Sequence, residues 1–458
     1  MPFVILPTNS ASGGYEVTNS LRFNSGSSDY LNRTPASAGN RQKFTLSFWV
    51  KRSKLSTGQY FLAIDTGATA NFFQFNSSDR LVLYCYSSSG GVTDFYLEPN
   101  QLFRDVSAWY HIMLAVDTTL ATADNRGRLY VNGSEVTSML YRTNPTQNFN
   151  CLVNNTNQHN IGGTSYLDGY LSDVYFIDGQ QLTPTSFGET DEDTGIWKPK
   201  AYTGTYGTNG FYLQFKNSAS LGTDSSGNGN TFTVNNLTSA DQTTDTPTNN
   251  FATWNGVADN LDVTLSNGNL SVVHGTALER RPVICNFGLS TGKWYAEFKP
   301  TSDSGSGNLE YGIVTQPSPS AIGRYMNQNP LNSGSVSYIN DGSIQVDGST
   351  TTGLSTYTTN DIIGIAVDKT NSLIYFYKNG TLVNSGGTSF SGIVQGDGNF
   401  YYCNADRSGA STYNSDANFG NPPYSANSYT DGAGFGNFSY QVPSGYYSLN
   451  TKNLATFG

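Results

Sequence analysis

Histidine and cysteine are nearly missing from this sequence, at three and four residues among 458. The cysteines (Cys85, Cys151, Cys285 and Cys403) lie far apart with no Cys-x-x-Cys pair, which excludes zinc-ribbon and thiol-redox motifs. Cys85 in "LVLYCYS" and Cys403 in "NFYYCNA" have strand-like surroundings and read as buried free thiols. Charge is scarce too: charged residues are 13% of the chain, and 24 Lys and Arg are scattered singly against 34 Asp and Glu, for a net charge of -10. Without clustered cations to neutralise phosphates, a nucleic-acid partner is not expected. The apolar run of "MPFVILPTNSASGG" extends only from Phe3 to Leu6 with no basic residue before it, so neither a signal peptide nor membrane insertion is expected. Apolar i, i+3, i+4, i+7 spacing long enough for a helix is also lacking, which leaves strands and loops.

What the chain has in quantity is glycine (49), tyrosine (30) and phenylalanine (26), together with Asn, Ser and Thr. Aromatics and Thr suit strands, and Asn-Gly pairs suit tight turns between them, so the composition is that of a turn-rich, all-β protein. In "FTLSFWVK", Phe44, Leu46, Phe48 and Val50 share one face, as do Leu81, Leu83 and Cys85 in "RLVLYCY", the pattern of half-buried sandwich strands. "WYHIMLAVD" (Trp109 to Asp117) leads to "GRLYVNGSEV", which turns at Asn132-Gly133. "DIIGIAVD" (Asp361 to Asp368) leads to "SLIYFYKNGTLV", which turns at Asn379-Gly380. This repeated plan predicts two sandwich domains of related design. Residues 217 to 250, almost wholly Ser, Thr, Asn, Asp and Gly, read as a linker with one short strand at Thr231 to Val234. The Tyr- and Gly-rich tract from Ala405 to Asn437 reads as long surface loops.

The order of "LRFNSGSSDYLNR", "FTLSFWVKR", "WYHIMLAVD", "RLYVNG" and "IGGTSYLDGYLSDVYFIDGQQLTP" over the first 190 residues or so resembles the laminin-G-like, concanavalin-A-like jelly-roll family. In the second half, "GKWYAEFKP", "YGIV" and "DIIGIAVDKTNSLIYFYKNGTLV" resemble a SPRY domain. The expected fold is all-β, with two β-sandwiches of jelly-roll, concanavalin-A-like type in tandem: a jelly roll over 1–216, the linker 217–250, and a SPRY-like sandwich over 251–458. The passage from Gly210 to Asn255 and the closing "FSYQVPSGYYSLNTKNL" resemble segments of tailed, marine-type bacteriophage structural proteins. That resemblance implies a virion component assembled in the host cytoplasm: a tail fibre or appendage that contacts other virion proteins and a host-surface glycan or protein. A capsid decoration role is the alternative within that class, and a soluble lectin or a glycan-cleaving enzyme lies outside it. Such proteins act as symmetric copies, so a homo-oligomer is expected.

Four chemical readings compete. "AIDTGATA" carries the Asp-Thr-Gly of an aspartic protease at Asp65, but the chain has one such triplet, and Ile363-Gly364 belongs to the other domain. Asp65 therefore reads as a turn residue between strands. Glycoside hydrolysis needs two carboxylates on one face, whereas the densest cluster, Glu189, Asp191, Glu192 and Asp193, reads as a solvated loop. Laminin-G-like domains often bind Ca²⁺, which draws notice to Asp29, Asp117, Asp124 and Asp168, but no calcium-loop pattern surrounds them and turn geometry accounts for them. No catalytic residue, metal or cofactor is thus expected, and the chain reads as a non-enzyme. Aromatic recognition is the fourth, with Tyr413, Tyr424, Tyr429 and Phe435 in the late loops as candidate ligand-binding residues.

Overall fold

A computed structural model describes residues 14–65, 71–86, 93–257, 263–275, 282–302, 309–315, 334–393, 398–406 and 413–458. The chain divides into two compact units, with the boundary between Thr248 and Asn249. The fold is all-β, two jelly-roll sandwiches in tandem.

In the first unit an eight-stranded sheet is built around the central strands Trp109–Asp117, Lys43–Arg52 and Gly169–Asp178. A second eight-stranded sheet runs in the order Met139–Thr143, Thr93–Pro99, Leu81–Tyr86, Asn71–Phe75, Gln59–Asp65, Gln158–Ile161, Tyr30–Arg33, Thr233–Asn235. Period-two alternation turns Phe44, Leu46, Phe48 and Val50 of the first sheet toward Phe61, Phe73, Leu83 and Leu97 of the second, in one continuous core. Phe48 sits at that interface, its ring 4.9 Å from Phe61 and 6.0 Å from Phe73. All four cysteines are buried free thiols.

The strand Lys43–Arg52 was expected to be half-buried, yet both of its faces are covered. Its outward side chains Ser47, Trp49 and Lys51 lie under later parts of the chain. Residues 217–250 supply part of that cover. Up to Thr248 they are not a linker but an integral piece of the first sandwich: Thr233–Asn235 pairs with Tyr30–Arg33, Gln242–Thr243 pairs with Ser20–Phe23, and Leu221, Phe232 and Leu237 enter the core. A segment this polar can pack because its side chains satisfy its own backbone. Asp224 accepts from the amides of Tyr212, Ser226 and Asn230, while Asn228 and Asn230 donate to the Gly210 carbonyl. Composition alone conceals this, since a linker and a hydrogen-bonded strap use the same residues.

Asp245, at the end of this strap, is buried against Lys51, with Oδ2 2.8 Å from Nζ and side-chain exposures of 2% and 1%. Its other oxygen accepts from the Trp109 indole at 3.1 Å. His111 is enclosed nearby between the rings of Trp49 and Trp197. Its Nδ1 accepts from Trp197 Nε1, so Nε2 carries the proton and donates to Ser47, and burial pushes its pKa down to about 3. Further along the same face, Asp173 sits in a β-bulge at φ 45°, where its carboxylate accepts from the Tyr212 hydroxyl at 2.6 Å. Burial pushes its pKa up to about 6.

The second unit pairs a nine-stranded sheet, centred on Lys293–Ser302 and Ile363–Asp368, with a six-stranded sheet centred on Phe400–Asp406 and Leu309–Thr315. Trp254, Phe298 and Tyr311 stack through its core. The closing segment straps the outer face of the larger sheet. Phe438 packs on Tyr295, and the buried Glu297 carboxylate accepts from the backbone amides of Ser439 and Tyr440 at 2.8 and 2.9 Å. The chain then ends in one short α-helix, Thr451–Phe457, capped by the Asn450 side chain. Seven residues are too few for the apolar periodicity by which a helix is recognised in sequence.

The two Asn-Gly hairpin turns are built alike. Asn132 and Gly133 have φ of 46° and 79°, and Asn379 and Gly380 have 49° and 77°. Asn132 exchanges hydrogen bonds with the backbone of His111, as Asn379 does with that of Ile362. Each glycine also seats an aromatic ring from later in the chain, Trp197 in the first unit and Tyr440 in the second, at distances that leave no room for a Cβ.

Two outcomes are expected. Asp245→Ala strands a buried ammonium and should destabilise the first unit by about 3–5 kcal/mol, whereas Lys51→Met with Asp245→Leu recovers most of that loss, as read from urea midpoints. For Asp173 the folded pKa lies above the unfolded value, so its favourable contribution is full below pH 3.8 and is lost as pH rises through about 6. Asp173→Asn should therefore raise stability at pH 8 by up to about 3 kcal/mol, with the gain vanishing near pH 4.

Candidate functional site

A sandwich has two outer faces, and in the first unit they differ. The first sheet's is sheathed by the chain itself. The second sheet's carries a row of side chains set by strand register: Thr233, Asn32, Asn160, Ala63, then Tyr84, Tyr96 and Thr143. These positions alternate with the core residues Leu31, Ile161, Leu62, Leu83 and Leu97 and so turn away from that core; Asn160 and Ala63 are buried there all the same, while Asn32, Tyr84 and Tyr96 are partly exposed and Thr143 and Thr233 exposed. One end of the row is amide-rich, with Asn235 donating to Asn32 and Gln158 to Asn160.

The other end is aromatic. Tyr84 and Tyr96 meet edge to face at 5.4 Å and 82°, and Tyr96 meets Tyr141 at 6.5 Å and 70°. Tyr141 is 61% exposed, the most exposed large apolar side chain among the described residues. Each ring buttresses the next, so their orientations are fixed.

Glu98, two residues beyond Tyr96 on the same strand face, organises this end. Its Oε2 accepts the Tyr96 hydroxyl at 2.6 Å and its Oε1 accepts Asn76 Nδ2 at 3.1 Å. Burial and the Glu98 carboxylate together push the Tyr96 phenol well up, so it stays protonated with its hydrogen committed to Glu98. The phenol oxygen is left able to accept. Asp94, by contrast, sits where the pairing with Leu81–Tyr86 shifts register between Cys85 and Tyr86. The arrangement suits holding a hydroxyl-rich, flat-faced ligand, with rings for its apolar face and amides for its hydroxyls.

The residues singled out by sequence fall elsewhere. Tyr413 is not in a surface loop: it opens the strand Tyr413–Asn418 and is fully buried in the second core, where its alternation with Ser415 and Ala417 puts it. It cannot be a binding platform. Tyr424 is half-buried with Lys299 5.0 Å over its ring, and Phe435 is half-buried with Lys452 5.6 Å over its own. Tyr429 is 42% exposed, in a bridge with Phe438. These four do not converge on one cluster of ring contacts.

Asp65 ends the strand Gln59–Asp65 and pairs with Gln158, and residues 66–70 of "AIDTGATA" lie outside the described residues. The Glu189–Asp193 cluster spans a two-stranded turn, in which Lys198 lies 3.1 Å from Asp191 and 3.7 Å from Glu189. Asp29, Asp117, Asp124 and Asp168 bond to nearby amides, hydroxyls and cations, as with Asp117 and Lys43 at 2.7 Å. The sequence signal for the tyrosine face is the alternation of Tyr96 and Glu98 with Phe95 and Leu97, and a polar-aromatic strand of this kind looks like any edge of a sandwich.

Residues 25–186 match the model of the concanavalin A-like lectin/glucanases superfamily, and residues 293–412 match the SPRY domain. The chain therefore contains a concanavalin A-like domain followed by a SPRY domain. No curated protein matches the chain. Similar solved structures include the SPRY domain of human HERC1, at 18% identity and TM-score 0.29, covering 34% of this chain and 91% of that one. A heptameric SAP-like pentraxin from Limulus polyphemus shows 15% identity and TM-score 0.28, covering 37% and 80%. A Bacteroides ovatus protein described as carbohydrate-binding shows 14% identity and TM-score 0.33, covering 50% and 60%. At these TM-scores none of the three likenesses bears on function.

The placement is open to chemical labelling. Tetranitromethane is expected to nitrate Tyr141 and Tyr429 in the folded chain and to leave Tyr413 unmodified, as read by peptide mass spectrometry.

Proposed function

We propose that this chain is a non-enzymatic structural component of a tailed-phage virion, exposed as a tail fibre or appendage, which attaches to host-surface glycan through the tyrosine face of its first sandwich. The observation that carries the binding reading is the buttressed Tyr84–Tyr96–Tyr141 array bordered by Glu98 and an amide row. Rigid aromatics with little conformational entropy to lose are what a weak, repeated surface contact uses. The virion reading rests on sequence motifs: the phage-like stretches Gly210 to Asn255 and Phe438 to Leu454. Those same stretches supply straps that sheathe each sandwich, which suits a protein that must survive outside a cell. Partners are then other virion proteins and copies of the chain itself, because appendages assemble with closed symmetry.

Capsid decoration differs from this only in where the protein sits on the particle. A glycan-cleaving role is disfavoured because both oxygens of the Glu98 carboxylate are committed, to the Tyr96 hydroxyl and to Asn76.

Two measurements test the proposal. The purified chain should bind neutral oligosaccharides, and Tyr141→Ala combined with Tyr96→Ala should weaken that binding by about 2 kcal/mol, roughly thirtyfold, without shifting the melting transition by a comparable amount. Purified particles should contain the chain, and antibody labelling in electron microscopy should place it on the tail. Label confined to the capsid shell would favour decoration, and particles free of the chain would refute the virion reading.

A further inference from the structure

We infer, independently of the glycan reading above, that Lys51 and Asp245 are placed to condense into an isopeptide bond, a covalent tie between a central strand of the first sandwich and the strap that covers it. Strand register makes the site. Lys51 lies opposite Trp109 on one neighbouring strand and opposite Tyr170 on the other, so its side chain emerges between two aromatic ones. Its Nζ stands 5.5 Å from the Tyr170 ring centroid, and Trp49, Trp109 and Tyr170 form one buried cluster on this face. Asp245 is fixed through its backbone: its carbonyl accepts from Ser20 Oγ at 2.6 Å and its amide donates to Thr243 Oγ1 at 3.2 Å. Oδ2 lies 2.8 Å from Nζ, and the two side chains are 1% and 2% exposed.

Two reacting groups held in contact from both sides meet at an effective concentration far above any reached in solution. The step balances within the pair. The ammonium passes one proton to Oδ2, and its nitrogen attacks Cγ. A second proton then follows to Oδ2, the Cγ–Oδ2 bond breaks, and water leaves as the Nζ–Cγ amide forms. Negative charge gathers meanwhile on Oδ1, which already accepts from Trp109 Nε1 at 3.1 Å, the place of an oxyanion-hole donor. Burial gives the direction, because the ion pair forgoes the hydration of two charges whereas the amide carries none. Lys43 and Asp117, in the same sheet, supply the contrast. They are as close, at 2.7 Å, but Lys43 is 36% exposed, so water stabilises that pair as ions.

The test incubates the folded full chain in warm neutral buffer and follows its intact mass. A species lighter by one water is expected to accumulate and to yield, on proteolysis, a branched peptide containing both Lys51 and Asp245. In denaturing, reducing electrophoresis it should run ahead of the unlinked chain, because the bond joins residues 194 positions apart. No branched peptide should join Lys43 to Asp117. Lys51→Arg keeps the positive charge but removes the nucleophile, and should abolish the lighter species. Trp109→Phe should slow its formation by about a hundredfold. Should either variant fail to fold, the peptide map of the unaltered chain still decides the matter. A mass that stays unchanged, or a water lost while Lys51 and Asp245 remain on separate peptides, would overturn the inference.

Discussion

Lys51 and Asp245 form the contact on which the first sandwich turns. Lysine on the outer face of a central strand would ordinarily reach for water, leaving that face open. Here Asp245 comes from nearly two hundred residues later and neutralises it in place, and the Trp109 indole holds the second carboxylate oxygen. An ion pair so buried gains little net stability, since desolvation of both partners offsets most of the attraction. What it does is exclude alternatives. Where the strap carrying Asp245 lies, both charges are satisfied, beside the buried aromatic cluster of Trp49, Trp109 and Tyr170.

With one outer face closed, the exposed aromatics of the first unit, Tyr141 above all, lie on the other. The second sheet places tyrosines at one end and amides at the other, and the strand register fixes their order without any loop having to adopt a special shape. In the second unit the closing segment covers the larger sheet through Glu297, so the same economy is applied there by a different carboxylate. Both devices pair a strand-borne charged or acidic group with a strap that arrives late in the chain.

Much of this architecture was legible in the sequence. Alternation in "FTLSFWVK" and "DIIGIAVD" declared strands, and Asn-Gly declared both hairpins, because these signals are local. The strap of residues 217–248 is illegible locally for the opposite reason. Whether Asp224, Asn228 and Asn230 face water or their own backbone depends on contacts with residues such as Tyr212 and Gly210, and no window along the chain reveals it. Tyr413 lies in a Gly-rich neighbourhood that reads as loop, although it shares a strand face with Ser415 and Ala417. The tyrosine face is invisible along the chain because Tyr84, Tyr96 and Tyr141 lie on three strands and become neighbours only through pairing.

Gly133 and Gly380 carry a consequence for how this chain can change over generations. A hairpin turn is usually where a protein tolerates drift, since its residues touch only water. Each of these turns instead floors an aromatic ring delivered by a distant strap, so its glycine is held by backbone conformation and by packing at once. The two exposed loop tips should therefore vary less among relatives than many positions within the cores, and an insertion at either would unseat the strap above it before it disturbed the hairpin below.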